Sequence, residues 1–146
     1  MTTTSTRGVT FLHAVHLLAA HLAHHQPPEP ASLTVMTSSR RSQVTVQVAS
    51  NTVPSVAADL LAWADTLPTV TVAVWRVPAS DMVHLSIAST LTSPAGAVEL
   101  DIYGGVDHDP VLFADLTPGE HRDLSLGQLR AWATSATDTT EGGGVA

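Results

Sequence analysis

The groups in this chain best suited to chemistry are its eight histidines, five of which crowd into one short stretch, "HAVHLLAAHLAHH". His13, His16, His21, His24 and His25 could ligate a metal, titrate near neutral pH, or form the wet side of a helix. One ion cannot gather all five. His13 and His24 stand about 16 Å apart along a helix axis, while zinc holds its nitrogens at about 2 Å. Pairs such as His21/His25 do have the i, i+4 spacing that chelates from one face. The spacing also resembles a metalloprotease HExxH pattern, but Leu22 stands where the general-base Glu belongs. A complete site would need donors from His84, Asp107, His108, Asp109 or His121, and the metal alternative is therefore His21 and His25 with Asp107, His108 and Asp109.

The helical wheel favours a plainer reading. Phe11, Val15, Leu18 and Leu22 fall in one arc, a core-facing stripe, with His13, His16 and His24 opposite and His21 flanking them. The histidines are then the polar half of an amphipathic helix. They still endow the chain with a strong response to acid, because protonating all eight would carry the formal charge from −7 to +1.

Glu99 and Asp101 alternate onto one face of a strand that runs into "DHD", residues 107 to 109. Paired carboxylates and an imidazole can do acid–base or metal chemistry, but this spacing matches no specific metal loop and reads as a polar strand face entering a solvated turn. The chain has no cysteine and no lysine. Thiolate nucleophiles, disulfides, Cys-containing zinc sites, Schiff bases and a phosphate-binding P-loop lysine are excluded together. Neither a G-x-S-x-G elbow nor a dinucleotide fingerprint is present, no cofactor is expected, and a non-enzymatic protein is the favoured reading.

With a net charge of −7, the chain is poorly suited to a phosphate backbone, whose affinity rests on Lys and Arg. Its first residues are polar, and the apolar run behind them is broken by histidines. Neither a signal peptide nor a membrane span is expected, which makes the cytoplasm the expected location. Charged residues are 13% of the chain, about half the usual share, so Thr, Ser, Ala and His must supply much of the surface.

The elements that would position these groups follow from periodicity. Residues 1–8 read as a flexible arm, 9–134 as one α+β domain and 135–146 as a disordered tail. A first helix over 9–24 ends at "QPPEP". "SLTVMT" and "QVTVQVAS" alternate with period two and pair as a hairpin across 38–41, setting Val35 against Val44 and Leu33 against Val46. A second helix carries Val56, Leu60, Trp63 and Leu67 on one stripe, with Trp63 as a core anchor. "TVTVAVWRV", "MVHLSIAST" and "AVELDIY" then form three antiparallel strands, with Val74 against Leu85 and Ile87 against Ile102. "VLFADL" is a short strand or an irregular packing segment. Ser125 and Gln128 form a capping-box match before a short third helix with Leu126, Leu129 and Trp132. The fold class is α+β in the order α-β-β-α-β-β-β-α, with a mostly antiparallel sheet of about five strands and helices on one face.

That register leaves a second sheet face bearing Trp75, Val77, Met82, His84 and Tyr103, where an exposed antiparallel sheet is normally polar. Trp and Tyr are the residue types that dominate interface hot spots. Either a protein partner binds there, or the C-terminal segment folds over it through Phe113 or Leu116. Strand edges without lysine, "QVTVQV" among them, also invite pairing with another chain. The sequence therefore points to a protein-interaction or assembly module that self-associates as a homo-oligomer, with Trp75, Val77, Met82, His84 and Tyr103 as its contact residues.

Overall fold

The valines and isoleucines of alternating segments meet in one mixed six-stranded sheet. The computed structural model describes residues 9–38 and 41–145, with side chains described up to Ser135. In chain order the elements are α1 (Phe11–His25), β1 (Pro30–Thr37), β2 (Ser42–Val48), α2 (Val53–Ala64), β3 (Thr71–Arg76), β4 (Met82–Ser93), β5 (Gly96–Asp107), β6 (His121–Leu124) and α3 (Leu126–Val145). The sheet order is β1-β2-β5-β4-β3-β6.

All three expected hairpins form in the expected register: Val35 faces Val44, Val74 faces Leu85, and Ile87 faces Ile102. Two features differ from expectation. First, β2 joins the second hairpin by parallel pairing to β5, with Val44 opposite Leu100 and Val46 opposite Ile102. This makes "QVTVQV" an interior strand rather than an edge. Second, the short polar β6 adds to β3, placing Leu124 against Val72 and His121 against Trp75.

One face of this sheet carries the core. Val44, Val46, Val72, Val74, Val83, Leu85, Ile87, Val98, Leu100 and Ile102 are buried on it, beneath α2. That helix begins with Thr52 as N-cap in a reciprocal capping box with Ser55, and Pro54 sits in its first turn, where its missing N–H is not needed. Val56, Leu60 and Trp63 are its buried stripe, as the periodicity predicts, with Trp63 fully enclosed, while the expected fourth member, Leu67, is buried just past the helix end. Each such side chain contributes roughly 1.5–3 kcal/mol by leaving water. Close packing here depends on Gly104. A Cβ at that position would lie 2.6 Å from Val56 Cγ1 and 2.7 Å from Val48 Cγ2.

In α1 the buried line is Ala14, Leu18 and His21, rotated around the helix axis from the expected stripe, with which it shares only Leu18. Leu18 is buried, Val15 and Leu22 are half-buried, and Phe11 is 54% exposed. The reason is that His21 can bury its ring face and still pair Nε2. Its plane stacks on Trp63 with centroids 6.2 Å apart, and Nε2 lies 2.8 Å from Thr66 Oγ1. Thr66 already donates its own hydroxyl proton to the Trp63 carbonyl, so His21 Nε2–H is the donor in that contact. His13 Nε2 similarly meets Ser93 Oγ at 3.0 Å. His16, His24 and His25 remain exposed, as a wet helix face requires.

Residues 110–115, which include most of "VLFADL", form a turn segment rather than a strand. Phe113 and Leu116 are buried on the helical side, where Phe113 meets Trp132 of α3 edge to face at 5.6 Å. Ser125 caps α3 by accepting from the Gln128 N–H, and Leu129 is fully buried. Helical backbone continues to Val145, well past the expected end of the third helix. The expected arm of 1–8 lies outside the described residues, as do the side chains of the expected tail from 136 onward.

Candidate functional site

All three helices lie on the same side of the sheet, so among the described residues the other face is open. Its most distinctive feature is a row of four rings, each delivered by a different strand. β3 carries Trp75, flanked in register by His84 on β4 and His121 on β6. Tyr103 on β5 stands opposite Ser86, one diagonal step from His84. Trp75 stacks on His121 at 5.4 Å with an interplanar angle of 13° and meets His84 edge-on at 5.4 Å, while His84 tilts over Tyr103 at 4.7 Å. These are separations at which aromatic pairs attract beyond simple burial.

Glycine makes room for the row. Gly105 lies opposite His84, and a Cβ there would lie 3.0 Å from Met82 Cε and 3.7 Å from His84 Cδ2. Met82 and His84 fill that space instead. Val77 lies just past the end of β3, its N–H donating to the Met82 carbonyl at 3.0 Å. The structure thus gathers Trp75, Val77, Met82, His84 and Tyr103 into one neighbourhood, each half-buried and none sealed. Phe113 and Leu116 do not fold over it. The sequence pattern missed His121 as a member, because the four-residue "HRDL" has no apolar alternation to announce a strand.

Burial holds the pKa of His84 below the ordinary histidine value, so the row favours a neutral imidazole. Neither His84 nor His121 hydrogen-bonds a carboxylate or hydroxyl among the described residues, the coupling a nucleophile–base pair requires.

Below the rings, the same face holds an open groove of about 600 Å³ lined in part by Gln43, Thr71, Ala88, Thr90, Glu99 and Asp101. Glu99 and Asp101 do share a face, but their surroundings differ. Arg41 grips Glu99 with two guanidinium hydrogen bonds and holds its carboxyl below the usual range. Asp101 has no hydrogen-bond partner among the described residues, and burial raises its pKa.

The metal alternative is not assembled. His21 and His25 are neighbours, with centroids 4.5 Å apart, but His21 is committed to Thr66 just beyond the C-terminus of α2. Asp107, His108 and Asp109 border the opposite end of that helix, beside Thr52 and Val53. Twelve helical residues separate the two groups by about 18 Å. Asp109 caps the Val111 N–H, and His108 Nε2 lies 3.3 Å from the Phe113 carbonyl oxygen. Among the described residues no three His, Asp or Glu side chains are grouped to hold an ion, and no helix is long and apolar enough to cross a membrane.

No protein-family model, curated protein or solved structure matches the chain.

Proposed function

We propose that this chain is a non-enzymatic protein-interaction module that self-associates or docks a partner protein, with the open sheet face as its contact surface. Trp75, Met82, His84 and Tyr103 form the anchor, Val77 lies at its rim, and His121 is added as the ring on which Trp75 rests. One observation carries the reading: four rings and a methionine, half-buried except for the exposed His121, lie in a row on a face that none of the described helices covers. Rigid aromatic side chains give large contact area at small entropic cost, which is why they dominate binding hot spots. The net charge of −7 argues against a nucleic acid as the partner. A cytoplasmic setting is part of the proposal.

The test is Trp75→Asp. A folded variant that loses self-association or partner capture supports the reading. A folded variant with an unchanged oligomer and partner profile overturns it.

A further inference from the structure

We propose that two copies of this chain join along β1, their edge strands pairing antiparallel about a twofold axis near Thr34. The inference rests on the reading of the chain as an interaction module and assigns its self-association to the sheet edge, leaving the ring row to dock a partner protein.

The two edges of the sheet are built differently. β6 is four residues long and presents His121, Arg122 and Asp123, the short charged kind of edge that resists further pairing. β1 is eight residues long and contains no charged side chain. Its single proline, Pro30, stands at the first position, and the only irregularity in its ladder lies at that same end, between Pro30 and Ser32. From Ser32 to Thr37 the strand is regular. Its inner edge is paired to β2, and among the described residues no strand covers its outer edge. Every outward-pointing N–H and C=O along that stretch is a template for another strand.

Charge and symmetry select a second copy as the occupant. Copies carrying −7 each repel one another, but along β1 two copies meet without opposing any charged side chain. A twofold axis perpendicular to the sheet keeps both helical layers on the same side, so that residues of like parity must face each other. Centred on Thr34, the pairing sets Leu33 against Val35 of the second copy, twice, and Thr34 against itself. Leu33 and Val35 lie on the core-facing side, since their partners on β2 are the buried Val46 and Val44. Leu33, 40% exposed, would thereby gain an aliphatic neighbour, and the other side would carry a row of Ser, Thr and Met that includes Met36, 63% exposed. Cross-strand pairs of these kinds are stabilising, and an isologous contact of this sort closes at two copies.

The cysteine-free background gives a clean test. Thr34→Cys should form a disulfide-linked dimer under mild oxidation, because directly opposed Cβ atoms lie within about 5.5 Å. Asp123→Cys on β6, at the other edge of the sheet, should give no disulfide-linked dimer under the same oxidation. In light scattering, the unmodified protein should show twice the monomer mass, and Leu33→Lys should return it to monomer with an unchanged circular dichroism spectrum. A monomeric unmodified protein, or Thr34→Cys that fails to cross-link, overturns the β1 assignment. So does a protein that dimerises only once residues 1–8 are removed, since that segment would then be the edge's own cover. A dimer that survives Leu33→Lys and dissociates with Trp75→Asp moves self-association to the ring face. That result would leave the interaction reading standing while removing this one.

Discussion

Trp75 and His121 lie face to face across the β3–β6 pair, with centroids 5.4 Å apart and planes 13° from parallel. The imidazole supports one side of the indole while His84 meets it edge-on, so the tryptophan is held in one orientation before any partner arrives. His121→Ala should loosen Trp75 and weaken partner binding about tenfold, at a stability cost of roughly 0.5–1.5 kcal/mol, the scale of one aromatic pair. Titration calorimetry or analytical ultracentrifugation, together with urea unfolding, checks both numbers. Binding that is insensitive to His121 would remove it from the site.

A second expectation concerns the layer between sheet and helix. Gly104→Ala would drive a methyl group into Val56 and Val48, two β-branched side chains with little room to turn. A loss of about 1–3 kcal/mol is expected, the usual cost of overpacking. Val56→Ala in the same chain should return part of that loss, which a double-mutant cycle from denaturant midpoints would measure.

Acid should destabilise the protein through two imidazoles. His21 is lowered below the ordinary histidine value first by burial and then by the nearby charges of His25 and His24, and His84 is lowered by burial. Below pH 6.5 the unfolded chain therefore binds protons that the folded chain refuses. Their contribution is complete above about pH 6.5 and is lost as pH falls from there through the folded-state values. Thermal midpoints should be flat from pH 8 to 7 and decline from 6.5 to 5, with a shallower decline in His84→Gln. Asp101 acts in the opposite sense and at lower pH, because its raised carboxyl favours the folded state when protonated. A midpoint unchanged down to pH 5 would contradict the assignment.

Chelation should leave the fold intact. The His21/His25 pair on α1 and the 107–109 loop are held at opposite ends of α2, so EDTA treatment of untagged protein should not shift its melting curve. Elemental analysis showing stoichiometric zinc, nickel or manganese would overturn this expectation and restore the metal reading.

What the sequence displays and what it conceals divides along physical lines. Period-two alternation tells which side chains share a face, so Val35 with Val44 and Ile87 with Ile102 were legible before any coordinates. So was the grouping of Trp75, His84 and Tyr103 on the opposite face, but not whether the C-terminal segment lay over it. Alternation does not say which strand lies next to which: the valines of β2 would fit beside many strands, and their parallel partnership with β5 left no local mark. β6 is too short and polar to register, which hid His121. The helical stripe of α1 was misplaced because a wheel treats histidine as a surface residue, whereas His21 stacks on Trp63 and donates to Thr66 in the interior.

The parallel seam between β2 and β5 also sets an order of events in self-assembly. Val44 and Leu100 meet across about 56 positions of chain, a closure costing on the order of 3.5 kcal/mol of entropy before any contact compensates. The β3–β4–β5 meander, by contrast, closes through short turns and can form early. The β1–β2 hairpin, although it leaves the ribosome before the meander, must wait for a docking edge on β5 (Gly96–Asp107), so the segment made earlier takes its place later.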